Sequence, residues 1–145
     1  MRVVGIDLGE RRVGVAVSDS AEKLALPHGT LERSGDVETD RAALAELVDE
    51  LGARRLVVGL PLGLDGRQGQ AARAAALEAD ALSQLLAPHG VEVETFDERL
   101  TTVSAERALA AAGRRGRSRR RVVDQSAAAV MLQAWLDGRR PGTTP

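Results

Sequence analysis

VVGIDLGERRVGVAVSD, residues 3 to 19, places a carboxylate, Asp7, straight after the apolar run Val-Val-Gly-Ile. A glycine and the charged trio Glu10-Arg11-Arg12 follow, and then Val13, Val15 and Val17 alternate with Gly14 and Ala16. The pattern predicts strands over 2–8 and 12–18, with a link at Gly9–Arg11 short enough for an antiparallel hairpin. An acid closing so apolar a strand is expected to be buried near the sheet's end. A charge there is costly unless it is paired or bound to a metal.

Outward from this hairpin, residues 24–32 read as a weaker strand, which Pro27 confines to an edge. Residues 36–51 read as a helix, with Leu44, Leu47, Val48 and Leu51 at i, i+3, i+4, i+7 and Gly52 as its stop. RRLVVGLP, residues 54 to 61, reads as a strand buried on both faces. An Ala-rich helix is expected over 68–87, with Leu77, Ala81 and Leu85 on one stripe and Leu82 and Leu86 beside it. VEVETF, residues 91 to 96, alternates like a half-buried strand. A helix capped by Thr101 or Thr102 and ending near Ala112 follows, and a last one runs from about Val122 to Asp137.

The order β-β-β-α-β-α-β-α-α predicts an initial meander, after which each strand is reached through a helix and lies parallel to the first. The fold class is therefore α/β: a mixed five-stranded sheet of order 3-2-1-4-5 with helices on both faces. Ligands of such sheets sit at the carboxyl ends of strands beside the change of direction, which is where Asp7 is expected.

Composition narrows the function. The chain has 145 residues, 43% hydrophobic and 28% charged, with a net charge of −1. That suits one soluble domain, expected over residues 1–138, with 139–145 as a flexible tail. It has no cysteine, which excludes disulfides, thiolate metal sites and cysteine nucleophiles. No segment resembles a signal peptide or a membrane span, so a cytoplasmic protein without a membrane partner is expected.

Two further acid positions stand where partners of Asp7 belong. FDERLTT puts Asp97 and Glu98 at the carboxyl end of the last strand. In VVDQSAAAVMLQAWL, Asp124 lies one step back along the stripe of Ala128, Met131 or Leu132, and Trp135, which would aim it at the sheet. Taken singly, Asp124 could serve the helix dipole, and Asp97 or Glu98 a solvated loop. Converging on one edge, three carboxylates would repel one another unless a cation sits between them. Oxygen-only ligands suit Mg²⁺ or Mn²⁺; zinc would want His or Cys, and His28 and His89 are expected away from these acids. A pair of such cations about 3.5–4 Å apart is suited to phosphodiester hydrolysis.

GLPLGLDGRQG, residues 59 to 69, is a glycine-rich entry to a helix that could receive a phosphate as readily as serve as a plain turn. It lacks the Walker pattern. All basic residues except Lys23 are arginine, and Arg114, Arg115, Arg117, Arg119, Arg120 and Arg121 form RRGRSRRR directly before Asp124. Their place suggests contacts to a nucleic-acid backbone, which carry affinity without sequence specificity. Phe96 and Trp135 are the only aromatics, which argues against base stacking on single strands.

VVGIDLGERRVGVAVSD, VVGLPLGLDGRQG, DERLTT and VVDQSAAAVMLQAWL resemble, in order and from end to end, the motifs of the YqgF (RuvX) family of ribonuclease H-like fold. The resemblance implies a nuclease of pre-16S rRNA 5′-end maturation, with Holliday-junction resolution as the alternative. It also implies Asp7, Glu98 and Asp124 as the acidic site, and a divalent metal. The choice of Glu98 over Asp97 comes from the resemblance alone. A structured nucleic acid, pre-rRNA or branched DNA, is the expected partner of a monomer or homodimer. Two other readings compete: a nucleotide-binding lobe, since GIDLG also resembles the first phosphate loop of actin-like sugar kinases, and a non-catalytic ribosomal RNA or ribosome-binding protein.

Overall fold

Strand β1, Arg2–Leu8, lies at the centre of a five-stranded sheet in the computed structural model, which describes residues 2–61, 69–100 and 126–139. It pairs antiparallel with β2, Arg12–Ser18, and parallel with β4, Ala53–Leu60. The edges are β3, Ala25–Glu32, and β5, Glu92–Asp97, so the order is β3-β2-β1-β4-β5 as expected. The Gly9 amide donates to the Arg12 carbonyl at 3.0 Å and closes the β1–β2 turn. A Cβ on Gly9 would stand 2.7 Å from that carbonyl oxygen, so the turn itself requires glycine here.

Two apolar layers cover the sheet, one on each face. Val4 and Ile6 of β1, Val13 and Val15 of β2, and Leu56 and Val58 of β4 pack with Leu44, Val48, Leu82 and Leu86. These last four come from α1, Val37–Glu50, and α2, Gln70–Leu86. The alternate residues Val3, Ala16 and Val57 face α3, Ala127–Gly138, and meet Ala128, Met131, Leu132 and Trp135. Side chains alternate across a strand, so Gly5 and Asp7 share the α3 face with Val3. Helix α3 sits close: a Cβ on Gly5 would meet the Leu132 Cβ at 3.0 Å.

The helix ends follow local chemistry. Asp36 caps α1 by accepting from the Thr39 amide at 3.1 Å, and Gly52 leaves the helix at φ +66°. The face of α2 differs from expectation. Ala72, Ala75, Ala79, Leu82 and Leu86 are buried, while Leu77 is 69% exposed and Leu85 41%. Alanines let the helix lie close on the sheet, and the bidentate pairing of Arg41 with Glu78, both contacts at 2.9 Å, fixes its rotation from α1. With Glu78 turned toward α1, its neighbour Leu77 is left in solvent. Helix α3 also starts later than the expected Val122. Ser126 has non-helical backbone, and its hydroxyl accepts from the Ala129 amide at 3.0 Å as an N-cap.

The expected helix over 101–112, the arginines of 114–121, Asp124, most of the glycine-rich link and the tail beyond 139 lie outside the described residues. No helix among the described residues is long and apolar enough to cross a membrane.

Candidate active site

Asp7 is half-buried at the carboxyl end of β1, opposite Gly14 of β2 and one residue beyond the Ile6–Val58 pair that joins β1 to β4. Hence Gly14 and Gly59 flank it across the sheet and leave its carboxylate in a trough. Ala128, in the first turn of α3, roofs the Gly14 side, 3.6 Å from where a Gly14 Cβ would stand.

Glu98 reaches the same spot from the other end of the sheet. The last β4–β5 pair is Leu60 with Asp97, and the Glu98 amide extends it by donating to the Leu60 carbonyl at 3.0 Å. The Glu98 side chain turns back over β4, and its carboxyl hydrogen-bonds the Asp7 carboxyl. Burial chiefly, and then this bond and the charge of Asp7, push the Glu98 carboxyl up to about 8 from an ordinary 4.5. It therefore holds a proton at neutral pH and donates it to Asp7.

Asp97 has a different partner. Its carboxylate takes the Arg99 guanidinium in a two-pronged pair, with Nε 2.9 and 3.0 Å from the two oxygens, and also accepts the Arg99 amide at 3.0 Å. The Arg99 side chain, first, and then its amide hold the Asp97 carboxyl below the usual range. Two acids adjacent in sequence are thus separated by the strand end: one is tied to its own loop, the other turned over the sheet to Asp7.

Of the three acids singled out in the sequence, the structure brings Asp7 and Glu98 together; Asp124 lies outside the described residues. Two carboxyls at one point coexist by sharing a proton or by holding a cation. Their all-oxygen donor set, half-buried and open to a proton's replacement, fits a hard divalent ion. No cluster of three or more metal-ligating acids, histidines or cysteines occurs among the described residues.

The sequence reading missed Gly14 and Gly59, whose missing side chains shape the trough; the only signal was a glycine in each flanking strand at the level of Asp7. On the opposite face of β1, Leu8, Gly9, Glu10, Arg33 and the first turns of α2 line a cleft of about 590 Å³. The α2 N-cap, Gly69, offers no side-chain hydrogen bond.

A family model described as RuvX, Holliday junction resolvase, matches residues 1–138. The chain belongs to the RuvX family. A relative from Anaeromyxobacter dehalogenans, named "Putative pre-16S rRNA nuclease", is 47% identical over 97% of this chain and 100% of its own. One of the same name from Myxococcus xanthus is 45% identical over 99% of this chain and 93% of its own. Among solved structures, T. thermophilus RuvC in complex with Holliday junction substrate aligns at a TM-score of 0.60 and 20% identity, covering 96% of this chain and 95% of that one. At that identity the likeness establishes a shared fold for this RuvX-family chain.

Proposed function

We propose that this RuvX-family protein is a divalent-metal-dependent nuclease that hydrolyses phosphodiester bonds in structured nucleic acid, acting on pre-16S rRNA in 5′-end maturation. The observation that carries the reading is the contact between the Asp7 and Glu98 carboxyls, delivered to one trough from the ends of two separate strands. The names of its relatives supply the substrate class.

In this reading Asp7 and Glu98 hold Mg²⁺ or Mn²⁺ together with Asp124. Asp124 precedes the α3 N-cap by two residues, a reach of about 7 Å, and α3 begins beside Asp7. Divalent ions held as a pair supply an activated water and neutralise charge on the departing oxygen. The chain's own residues do the positioning. Asp7 is fixed by the central strand, whereas Glu98 must give up the proton it shares before both acids can serve as ligands. The arginines at 114, 115, 117, 119, 120 and 121 contact the phosphate backbone of the nucleic acid. Residues 1–138 form the single catalytic domain, working in the cytoplasm where pre-rRNA is processed.

The family description favours a second substrate, the four-way DNA junction. Purified protein incubated with precursor 16S rRNA and with a synthetic junction, each with Mg²⁺ or Mn²⁺, separates the two. Cleavage of the rRNA that Asp7→Asn abolishes, with the fold intact, supports the first reading. Cleavage of the junction alone supports the second, and metal-dependent cleavage of neither overturns both.

A further inference from the structure

Glu98 can reach Asp7 only by passing over β4. The acids belong to the ends of β5 and β1, two strand spacings apart, or about 9–10 Å. The strand between them carries Gly59 at this level, one residue beyond the Ile6–Val58 pair and itself paired with Phe96. Gly59 alternates with Val58 and so shares the α3 face with Val57 and Asp7.

A Cβ at position 59 would stand 2.5 Å from Glu98 Oε1, 3.0 Å from Cδ and 3.2 Å from Cγ. The backbone does not ask for glycine here, since Gly59 is absent from the glycines of positive φ: Gly29, Gly35, Gly52 and Gly90. Nor does Gly59 resemble Gly9, whose Cβ would strike main chain. The three atoms nearest to a Gly59 Cβ all belong to one side chain, that of Glu98. Relief of the clash therefore means moving the Glu98 carboxyl off the path that takes it to Asp7.

We infer that Gly59 is a positioning residue: its bare Cα is the passage through which Glu98 joins Asp7 to complete a divalent-cation site. The inference rests on the reading of Asp7 and Glu98 as metal ligands. It adds that β4, which contributes no ligand, decides whether the two acids meet.

The test is a mutant cycle on the full chain, with Mn²⁺ binding followed by electron paramagnetic resonance and folding by circular dichroism. Gly59→Ala is expected to weaken Mn²⁺ binding tenfold or more. In a Glu98→Ala background, where nothing crosses β4, the same substitution should change the residual affinity less than twofold. A second readout needs no metal. Asp7→Asn should move the Glu98 carboxyl ¹³C signal in the parent and leave it still in the Gly59→Ala protein.

A folded Gly59→Ala variant with parental affinity overturns the inference. So does one whose Glu98 signal still responds to Asp7→Asn. If Gly59→Ala does not fold but Gly59→Ala/Glu98→Ala does, the clash with Glu98 is upheld; if both fail, glycine serves the strand itself and the inference falls. Asp7→Asn binding Mn²⁺ as well as the parent defeats the metal-site reading separately.

Discussion

The Glu98 carboxyl donates a hydrogen bond to the Asp7 carboxyl from across an intervening strand. A proton stands between two acids whose combined charge, once it leaves, is suited to a divalent ion.

This arrangement makes the metal-free protein more stable in mild acid than in mild base. Folded Glu98 keeps its proton up to about pH 8, whereas the unfolded chain releases it near 4.5. Between those values the folded state binds more protons, so stability falls as pH rises, and the contribution is complete only below 4.5. Urea unfolding in EDTA from pH 5 to 8 should show that decline. Glu98→Gln, which keeps a donor toward Asp7 and cannot ionise, should flatten it. Parallel curves for parent and variant would place the proton elsewhere.

A cation must displace the same proton. Calorimetric Mn²⁺ affinity is expected to rise between pH 6 and 8, approaching tenfold per unit, and to level off above. Glu98→Gln should bind at least tenfold more weakly at pH 8 and lose the pH dependence. Asp97→Asn should remain within about threefold of the parent, because Asp97 is engaged by Arg99. Equal losses from the two substitutions would contradict the division of roles between these neighbours.

The rotation of α2 gives a stability contrast. Leu77→Lys should change unfolding free energy by no more than about 0.5 kcal/mol, as for an exposed site. Leu82→Ala, at a fully buried position, should cost about 2–5 kcal/mol. A large loss at Leu77 would mean that the helix turns the other face inward.

Nucleic-acid affinity should fall with salt. The log-log slope should be near −0.9 for each duplex phosphate contact. Replacing the arginines at 114, 115, 117, 119, 120 and 121 should make the slope shallower. An unaltered slope would remove that segment from the interface.

Strand order was legible because β1 and β2 announce themselves: Val-Val-Gly-Ile, then valines at alternate positions. The bounds of α1 were legible in Asp36 and Gly52, although Asp36 caps the helix and does not begin it. The inward face of α2 was not, because an alanine-rich helix offers several stripes of similar polarity, and the one that packs on the sheet carries Ala72, Ala75, Ala79, Leu82 and Leu86. The start of α3 was misplaced because Val122 and Val123 continue its apolar pattern, while one hydroxyl, that of Ser126, ends it. Asp97 and Glu98 could not be told apart from sequence, since adjacent residues on a strand point oppositely and the strand's last residue decides which turns inward. Gly59 looked like the opening of a loop, and its importance depends on a side chain arriving from a distant segment.

Among the described residues, β5 is bonded to the sheet along one side only. At its amino-terminal half Arg55 clasps Glu92 at 3.0 Å and Glu94 at 2.6 Å. The Trp135 indole donates to Glu94, and the Arg55 and Arg139 guanidiniums lie 5.7 and 4.6 Å from its ring centroid. Those groups fasten one end of a ribbon about 20 Å long whose other end delivers Glu98. The two acids are therefore anchored with unequal tenacity: local fraying of the margin withdraws the glutamate and leaves the aspartate in place. Damage to the Arg55–Glu94–Trp135 clasp, far from any chemistry, should loosen the grip on a cation before the sheet comes apart.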